Sequence, residues 1–524
     1  MLIDLDREAS GRSFASQVCV LGAGIAGLVL AHRLATRGFS VHLLEAGGLE
    51  FEQRSQSLYE AEMAADRHEG ATEGRFRVFG GSSTRWGGQL LPYTDDIFAP
   101  VAGIPSHGWP IGQEAIEPYY AEVLQIMGAD ALPFDEKLLS ALGRPAVKFG
   151  DGLRLRFSKW APFGRRNLAK SLGRDCIAHQ GVTVFTHANA IALQQIGVRV
   201  VSAAVKNYAN ASFTFAAEQF VVCLGTIESS RLLLASPGRD GSGVGNQFDQ
   251  VGRYFHDHVG MRVAAIDGIA RERVLARLGP FVAANTLHTC KLEASPSLRG
   301  REALPAAMAH VVIEEPEDSG VAAVRNLLGS LQQGRFKQAL ASNLGPMLRG
   351  LGDVASLVWQ SRVHRRRAVS ARAKVWLKID IEQIARPEDR IRLAGTRDPL
   401  GQRKALVDWR IGDEERETVS RFAPTVRREL EALGIAPLAW LPGVLDADNH
   451  PPPMTDTFHP MGGLRMGDDA RSSVVDRDLK VHGIENLYVA SCAVFPAGGS
   501  SNPTFTMMAL TLRIADRLAA LLKR

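Results

Sequence analysis

The chain has 524 residues, enough for two to four domains of ordinary size, or two large ones, with an extensive core. Hydrophobic residues make up 45% of it and charged residues 22%; both values are typical of globular proteins and exclude wholesale disorder. A formal net charge of +5 is too small by itself to predict nucleic-acid binding.

The cysteines and the N-terminal residues indicate the cellular compartment of the protein. The five cysteines lie far apart and contain no CxxC pair, so we expect neither a disulfide framework nor a zinc site, and a reducing compartment is favoured. The first residues are acidic, and no secretory or twin-arginine signal follows them. The apolar stretch 18–31 is broken by glycines and too short to span a bilayer. These features predict a soluble, cytoplasmic protein.

The first predicted elements form a nucleotide-binding motif. A β-branched run ends at Leu21, Gly22, Gly24 and Gly27 follow with the spacing G-x-G-x-x-G, and a helical pattern then begins. The next predicted strand, 40–45, ends in Glu45. In such a unit the glycines allow a tight turn, a close approach of a pyrophosphate and close helix–strand packing, while the acid accepts hydrogen bonds from a ribose. The motif by itself does not distinguish FAD from NAD(P).

A second glycine-rich segment covers residues 76–89. Small residues surround Trp86 there, and such a loop can lie flat against a planar ring system. The alternative is a plain surface loop, which Trp86 and its apolar neighbours disfavour.

The middle of the chain begins with short β-like runs between residues 182 and 223, followed by a helical pattern from Gly225. The polar segment 245–258 ends in His256 and His258, which could share a strand face and bind a metal. Two ligands without a third are weak evidence, so polar packing is favoured and no metal is predicted.

Residues 261–455 carry no nucleotide signature and mix strand-like with helical patterns. Within them, residues 325–374 hold ten Lys or Arg against one acid, Asp353. The apolar spacing at 324–331 predicts an amphipathic helix, and we expect this basic segment to form a lid or docking element. An ordinary solvated face is the alternative, and membrane-surface contact has no support beyond these charges.

Motifs become dense again after the boundary at Pro451–Pro453. His459 stands in H-P-M-G-G, Asn502 in N-P-T-F-T, and an amphipathic helix is predicted from about Met507 to Leu522. Imidazole titrates near neutrality, so His459 is the best candidate for a general base, although a turn histidine bonded only to backbone would fit the same pattern.

In their order, these motifs resemble those of the glucose–methanol–choline (GMC) family of FAD oxidoreductases. The resemblance runs from near residue 18 to near residue 517, and its most specific part is the pair His459 and Asn502. The loop with Trp86 is most similar to that of bacterial sugar and polyol dehydrogenases and of pyranose oxidases. The other matching positions are Gly22, Gly24, Gly27, Glu45, Gly80–Trp86, 109–120, Gly225, Glu228, Arg231, Asn246, 251–253, Asp257, His258, Arg465 and 503–506.

The resemblance implies an α/β protein with a discontinuous, Rossmann-type FAD-binding domain and an α+β substrate domain with a mainly antiparallel sheet. The expected FAD domain comprises 1–110, 182–260 and 455–524. The expected substrate domain comprises 111–181 and 261–454, with a basic helical insertion at about 320–372.

The resemblance also implies the site residues. His459 and Asn502 are the expected catalytic pair at the flavin. The expected FAD contacts are Gly22, Gly24, Ile25, Ala26, Gly27, Glu45, Ala46, Gly80, Gly81, Ser82, Ser83, Trp86, Gly87, Gly88, Gln89, Ala190, Gly225, Ser491, Asn502, Pro503 and Thr504. Arg85 stands where some pyranose oxidases carry a histidine linked to FAD, so FAD is expected to be non-covalent.

The implied activity is FAD-dependent oxidation of an alcohol group, with a small sugar, polyol or glycoside-like substrate. The resemblance leaves three alternative activities: a lyase without net electron transfer, a sterol oxidase and an aryl-alcohol oxidase. The electron acceptor stays open among oxygen, a quinone and a redox protein, and no nucleic acid is expected as a partner.

Overall fold

The computed structural model describes residues 1–101, 104, 108–333, 345, 369–435, 437–446 and 449–523. Its strands, in chain order, are β1 (Leu2–Asp4), β2 (Ser13–Leu21), β3 (Val41–Leu44), β4 (Ala61–Met63), β5 (Gln89–Leu90), β6 (Leu153–Trp160), β7 (Val182–Thr186), β8 (Asn189–Ile196), β9 (Arg199–Lys206), β10 (Ser212–Val222), β11 (His258–Ala265), β12 (Phe281–Ala283), β13 (Thr286–Ala294), β14 (Ala307–Glu314), β15 (Lys374–Glu382), β16 (Arg390–Arg397), β17 (Arg403–Asp408), β18 (Ala439–Trp440), β19 (Thr455–Asp456) and β20 (Leu487–Val489). Its α-helices are α1 (Ile25–Ala35), α2 (Gln53–Gln56), α3 (Asp95–Phe98), α4 (Tyr120–Met127), α5 (Lys137–Ala141), α6 (Leu172–Ala178), α7 (Gly225–Ala235), α8 (Gly268–Arg277), α9 (Pro296–Glu302), α10 (Gly320–Gln333), α11 (Asp413–Ala432) and α12 (Thr504–Leu522).

The first sheet has the strand order β1-β7-β3-β2-β10-β9-β8, and β20 also pairs with β10. The pairs from β1 to β10 and the pair β10–β20 are parallel, whereas β10–β9 and β9–β8 are antiparallel. The end of β2, Val18–Leu21, is fully buried, as expected for a parallel strand covered on both faces. The predicted Rossmann-type sheet is therefore confirmed.

Helix α1 crosses between β2 and β3 and is covered by the C-terminal helix α12. Arg33 of α1 donates to Asp516 of α12 at 2.9 Å, and the two helices share one hydrophobic core with the first sheet. The end of the chain is thereby fixed against the element that begins the nucleotide motif.

The second sheet has the order β18-β11-β15-β14-β13-β6-β5, and its pairings are antiparallel. Side chains alternate across a strand, so Leu377 and Ile379 of β15 face one side, where they share a core with Phe422 of α11. Lys378 and Asp380 face the other side. The expected mainly antiparallel sheet is confirmed, and its second face is polar.

A third, smaller sheet has the order β16-β17-β4, with β4 parallel to β17. It joins β4, which precedes the 76–89 loop, to β16 and β17 from the later half of the chain. The division of the chain into two domains at the boundaries given above stays a prediction.

The helix predicted from the spacing at 324–331 is confirmed, because it lies within α10. Most of the basic segment 325–374 lies outside the described residues. Every helix in the described ranges is too short or too polar to cross a membrane. The five cysteines are free thiols, as expected.

Candidate active site

A cavity of about 620 Å³ opens at the carboxyl ends of the parallel strands of the first sheet. This edge is where ligands bind in open parallel α/β sheets. Residues after β2, β3 and β10 line it. The expected FAD contacts on its wall are Gly22, Gly24, Ile25, Ala26, Glu45, Ala46, Gly81, Ser82, Trp86, Gly87, Gly88, Gln89, Ala190, Gly225, Ser491, Asn502, Pro503 and Thr504.

The glycine motif shapes the floor of the cavity. Gly22 has φ +102°, and a Cβ there would lie 2.7 Å from the carbonyl oxygen of Cys223. A Cβ on Gly27 would lie 1.8 Å from the carbonyl oxygen of Gly22, so this residue allows α1 to pack on the turn. A Cβ on Gly24 would meet nothing within 4 Å. Gly24 also N-caps α1 without any capping side chain, so the first N–H groups of the helix keep their capacity to bind an anion.

Glu45 lies at the end of β3, as predicted. Its carboxylate accepts hydrogen bonds from the backbone N–H groups of Ala23 at 3.2 Å and Gly47 at 2.8 Å. Burial raises the pKa of Glu45. The carboxylate is thereby fixed beside the glycine turn, at the position that the motif assigns to a ribose.

Three of the expected contacts lie behind the wall. Gly27 packs α1 on the turn, as described above. Gly80 donates its N–H to the carbonyl of Ala23 at 2.9 Å. Ser83 is fully buried and donates its hydroxyl to the carbonyl of Gly80 at 2.6 Å. These residues support the loop that lines the cavity.

Several cavity residues were missed from the sequence, among them Tyr59, Arg75 and Arg77. Both guanidinium groups lie over the ring of Tyr59, at 4.4 and 5.2 Å from its centroid. They flank Glu228, at 3.4 Å from Arg75 and 3.8 Å from Arg77. In the sequence, the available sign of these cavity residues was the pair of arginines at alternate positions, Arg75 and Arg77, just before Gly80.

At the inner end of the cavity the structure brings His459 and Asn502 together. His459 Nε2 lies 2.8 Å from Asn502 Nδ2. On the other side of the ring, His459 Nδ1 lies 3.1 Å from His258 Nδ1 and 2.9 Å from Thr457 Oγ1. His258 and Thr457 were not among the predicted site residues.

The hydrogen bonds fix which ring nitrogen of His459 carries the proton. His258 Nε2 lies 3.0 Å from the carbonyl oxygen of Gly498, which can only accept, so His258 carries its proton on Nε2 and its Nδ1 accepts. His459 then donates from Nδ1, and its Nε2 keeps a lone pair toward the Asn502 amide. The arrangement presents a basic nitrogen and an amide donor side by side.

Burial lowers the pKa of His459 to about 3, and the neighbouring His258 acts in the same direction. The ring is partly open to the cavity, but the surrounding protein disfavours its charged form. His459 is therefore neutral, and able to accept a proton, at physiological pH.

His256 and His258 contact different groups. His256 Nδ1 lies 2.9 Å from the carbonyl of Tyr254, while His258 points to His459. Within the described ranges, neither belongs to a cluster of three ligating residues. The sequence favoured polar packing for these histidines, and the polar neighbour of His258 is His459 in the candidate site.

Comparisons with known proteins identify the family. A model described as GMC oxidoreductase matches residues 385–511, and one described as FAD dependent oxidoreductase matches residues 17–240. The chain is a GMC oxidoreductase. It is an FAD-dependent enzyme that oxidises alcohol or sugar-like substrates.

Two curated relatives are similar to this GMC oxidoreductase over nearly its whole length. The fructose dehydrogenase large subunit of Gluconobacter japonicus is 24% identical, covering 98% of this chain and 100% of the relative. The paromamine 6'-oxidase of Streptomyces fradiae is 23% identical, covering 96% and 91%. Among solved structures, a fungal aryl-alcohol oxidase matches with a TM-score of 0.59 and 16% identity over 97% of this chain and 99% of that one, a likeness of fold.

The cavity of this GMC oxidoreductase fits FAD. The N-terminus of α1 has no side-chain cap, and the space beside Gly24 is open. A Cβ on Gly81 would lie 2.9 Å from Gly24 Cα, so the two glycine segments leave no room for side chains between them. At the other end, Asn502 Oδ1 is buried without a hydrogen-bond partner, as expected of a group facing a ligand.

Proposed function

We propose that this enzyme oxidises a CH–OH group of a sugar, polyol or glycoside-like substrate, with His459 as the general base and Asn502 as a hydrogen-bond donor. The observation that carries this proposal is the 2.8 Å contact between His459 Nε2 and Asn502 Nδ2 at the inner end of the cavity. A hydroxyl oxygen in front of this pair would meet a proton acceptor and an amide donor together.

The cavity residues would hold FAD without a covalent bond. The free N–H groups of α1 would bind the pyrophosphate, and Glu45 would accept hydrogen bonds from the ribose. The loop 81–89 and residues 502–504 would contact the ring system.

The oxidation requires a hydride and a proton to leave one carbon–oxygen unit. FAD, when bound, supplies the acceptor for the hydride. His459 Nε2 takes the hydroxyl proton, and the Asn502 amide donates to the oxygen as negative charge develops on it. His459 Nδ1–H donates to His258 and Thr457, and these contacts keep the imidazole plane and tautomer fixed during the transfer.

The sheet face beside this pair supports a polyhydroxylated substrate. His258 lies on the same face of the second sheet as Lys378 and Asp380, whose side chains are 2.8 Å apart. His310 Nε2 lies 2.7 Å from Asp380, and Lys291 stands on the neighbouring strand with the same orientation. Donors and acceptors of both signs suit hydroxyl groups better than a sterol or an aryl ring.

The names of the relatives favour the same class of substrate. They include a fructose dehydrogenase, a paromamine 6'-oxidase and a C-glycoside 3-oxidase of Arthrobacter globiformis. These names say nothing about the electron acceptor of this chain.

The test is an anaerobic flavin-reduction screen with sugars, glycosides, polyols, sterols and aryl alcohols, monitored by bleaching of the flavin absorbance. We expect bleaching with a polyhydroxylated alcohol. Bleaching only with sterols or aryl alcohols would contradict the substrate class. Conversion of substrate that leaves the flavin oxidised at the end of the anaerobic reaction would contradict the oxidation itself. Oxygen consumption on any hit then separates an oxidase from a dehydrogenase.

A further inference from the structure

The polar face of the second sheet carries a buried lysine without an ionic partner. Lys291 lies near the middle of β13 and is 4% exposed. Within the described ranges, its ammonium group forms no ion pair and donates no hydrogen bond. Burying an unpaired charge is costly, so such a group is expected where a ligand brings the opposite charge.

The nearest carboxylate on the same strand is already bound to arginines. Glu293 follows Lys291 by two residues, and its carboxylate lies 2.9 Å from Arg154 and 3.4 Å from Arg156. Arg156 is also the residue opposite Lys291 on β6. Lys291 therefore has a cation on one side, and the carboxylate of its own strand balances two guanidinium groups.

On the other side of Lys291, one carboxylate serves two partners. The register of β13 and β14 places Lys291 beside His310, which is opposite Lys378 of β15. Asp380 lies 2.7 Å from His310 Nε2 and 2.8 Å from Lys378 Nζ. Asp380 thus pairs with Lys378, and the second lysine of this face is left without an anion of its own.

Gly260 lets this ion pair lie close to the proposed base. It is opposite Asp380 on β11, two residues after His258 and therefore on the same face. A Cβ on Gly260 would overlap Asp380 Oδ1 and lie 2.7 Å from Lys378 Nζ. The ion pair consequently lies across the backbone of β11 beside His258, whose Nδ1 is 3.1 Å from His459 Nδ1.

The same face reaches the cavity wall on the other side. Trp160 of β6 lines the cavity, and its Nε1 donates to Thr289 Oγ1 at 3.0 Å. Thr289 is two residues before Lys291 on β13. Because β13 lies between β6 and β11 in the strand order, Lys291 stands between Trp160 at the cavity wall and His258 beside His459.

This part of the face is accessible and positively charged. The side chains of Lys378 and His310 are 24% and 15% exposed. Burial lowers the pKa of Lys291 to about 8, while the Asp380 charge opposes this change, so the ammonium is largely charged at neutral pH. Burial is the main cause of the lowered pKa of His459, and the charges of both lysines add to it. The two ammonium groups are thus close enough to the proposed base to act on it.

We propose that Lys291 and Lys378 form a subsite for an anionic group, a carboxylate or a phosphate, on a polyhydroxylated substrate whose CH–OH group faces His459. The proposal rests on the proposed function and narrows its substrate class to sugar acids and sugar phosphates. Lys291 donates to the anion directly, and Asp380 holds the Lys378 ammonium beside it, over Gly260.

The test compares pairs of alcohols that differ at one carbon: neutral hexoses with the corresponding uronates and terminal phosphate esters, and alditols with aldonates. Anaerobic stopped-flow reduction of the FAD holoenzyme gives a limiting rate and an apparent dissociation constant for each compound. We expect an anionic compound to bind more tightly than its neutral partner by on the order of 10- to 100-fold, the usual effect of a hydrogen bond to a charged group. Uronates and phosphate esters of the same hexose show which anion the subsite takes.

Two variants with opposite expected effects separate charge from packing. Lys291→Met removes the ammonium and keeps the length of the side chain, so the preference for the anionic partner should be lost, chiefly through the dissociation constant. Asp380→Asn should strengthen the preference, because both lysines are then free for the anion. Loss of packing alone would weaken the anionic and the neutral compound equally in both variants.

The matched control is Lys159→Met. Lys159 is a buried lysine of the same sheet, but its side chain is on the core face, where Nζ lies 3.1 Å from Asp130. This variant should leave the ratio between anionic and neutral compounds unchanged, whatever its effect on stability. If Lys291→Met does not fold, Lys378→Met carries the same expectation at a partly exposed side chain.

Two outcomes would overturn the proposal: neutral compounds that bind as well as their anionic partners throughout, and a preference for the anion that Lys291→Met and Lys378→Met both retain. Bleaching with neutral sugars or polyols, without any advantage of the anionic compounds, would remove the subsite and leave the proposed function. Bleaching with sterols or aryl alcohols alone would remove both.

Discussion

At the scale of single residues, the hydrogen-bond chain from Gly498 through His258 to His459 decides which ring nitrogen of His459 has a free lone pair. It leaves the lone pair on His459 Nε2, beside the Asn502 amide. This gives a mechanistic prediction for both residues.

We predict that His459→Asn keeps FAD and fold but slows flavin reduction by about 10²–10⁴-fold, the usual cost of a lost general base. Asn502→Ala should cost about 10²–10³-fold, as for a lost donor to a developing oxyanion. Because both groups act on one oxygen in the proposed mechanism, the double variant should be little worse than His459→Asn. Single-turnover reduction under anaerobic conditions measures all three.

The result against this assignment would be near-normal reduction by His459→Asn with FAD still bound. Strictly additive losses in the double variant would instead show that the two residues act at different steps.

Arg85 gives a second prediction at this scale. Its guanidinium lies over the rings of Phe51 and Phe76, at 4.3 and 4.6 Å from their centroids, and stays protonated at working pH. It is a poor nucleophile, so we predict that acid precipitation releases all the yellow flavin into the supernatant. Yellow colour that remains with the protein pellet after washing would indicate a covalent bond.

The sequence predicted His459 and Asn502 as a pair, but it did not predict that His258 would contact the His459 ring. The motifs are local, whereas His258 and His459 are 201 residues apart in the chain and meet only because distant segments fold together. Patterns in a single sequence predict local structure, but they do not predict contacts between residues that are far apart in the chain.

At the scale of elements, strands with a strong β-branched pattern and the helix after the glycine motif were predictable. The third sheet was not, because β4 pairs in parallel with β17 across more than half of the chain. The polar face of the second sheet was also hidden, since it is recognised only when the registers of β11, β13, β14 and β15 are known.

Helix α1 offers a matched pair of glycine variants. A Cβ on Gly24 would enter open space, so we predict that Gly24→Ala leaves the apoprotein as stable as the wild type but weakens FAD binding. A Cβ on Gly27 would collide with the carbonyl of Gly22, so Gly27→Ala should destabilise the fold itself. Thermal unfolding of the apoprotein and FAD titration separate the two effects. Equal FAD affinity in Gly24→Ala and wild type would show that the pyrophosphate lies elsewhere.

At the scale of the whole molecule, buried histidines couple stability to pH. His256 is enclosed by protein, with Nδ1 bonded to the carbonyl of Tyr254 and Nε2 without a partner. Burial lowers its pKa to about 4, whereas an unfolded histidine titrates at about 6.5. Between these values the unfolded chain binds one more proton at this site than the native protein does, so its contribution to stability falls as the pH falls.

The change that isolates this effect is His256→Asn, in which the amide nitrogen takes the place of Nδ1 and does not titrate. Each pH unit below about 6.5 removes about 1.4 kcal/mol from the wild type at this position and nothing from the variant. The difference in unfolding free energy between the two proteins should therefore shift by about 2 kcal/mol in favour of the variant from pH 7 to pH 5. Urea denaturation of both proteins, saturated with FAD, measures this difference at each pH. A difference that stays constant over this range would mean that His256 binds its proton equally well in the folded and the unfolded protein.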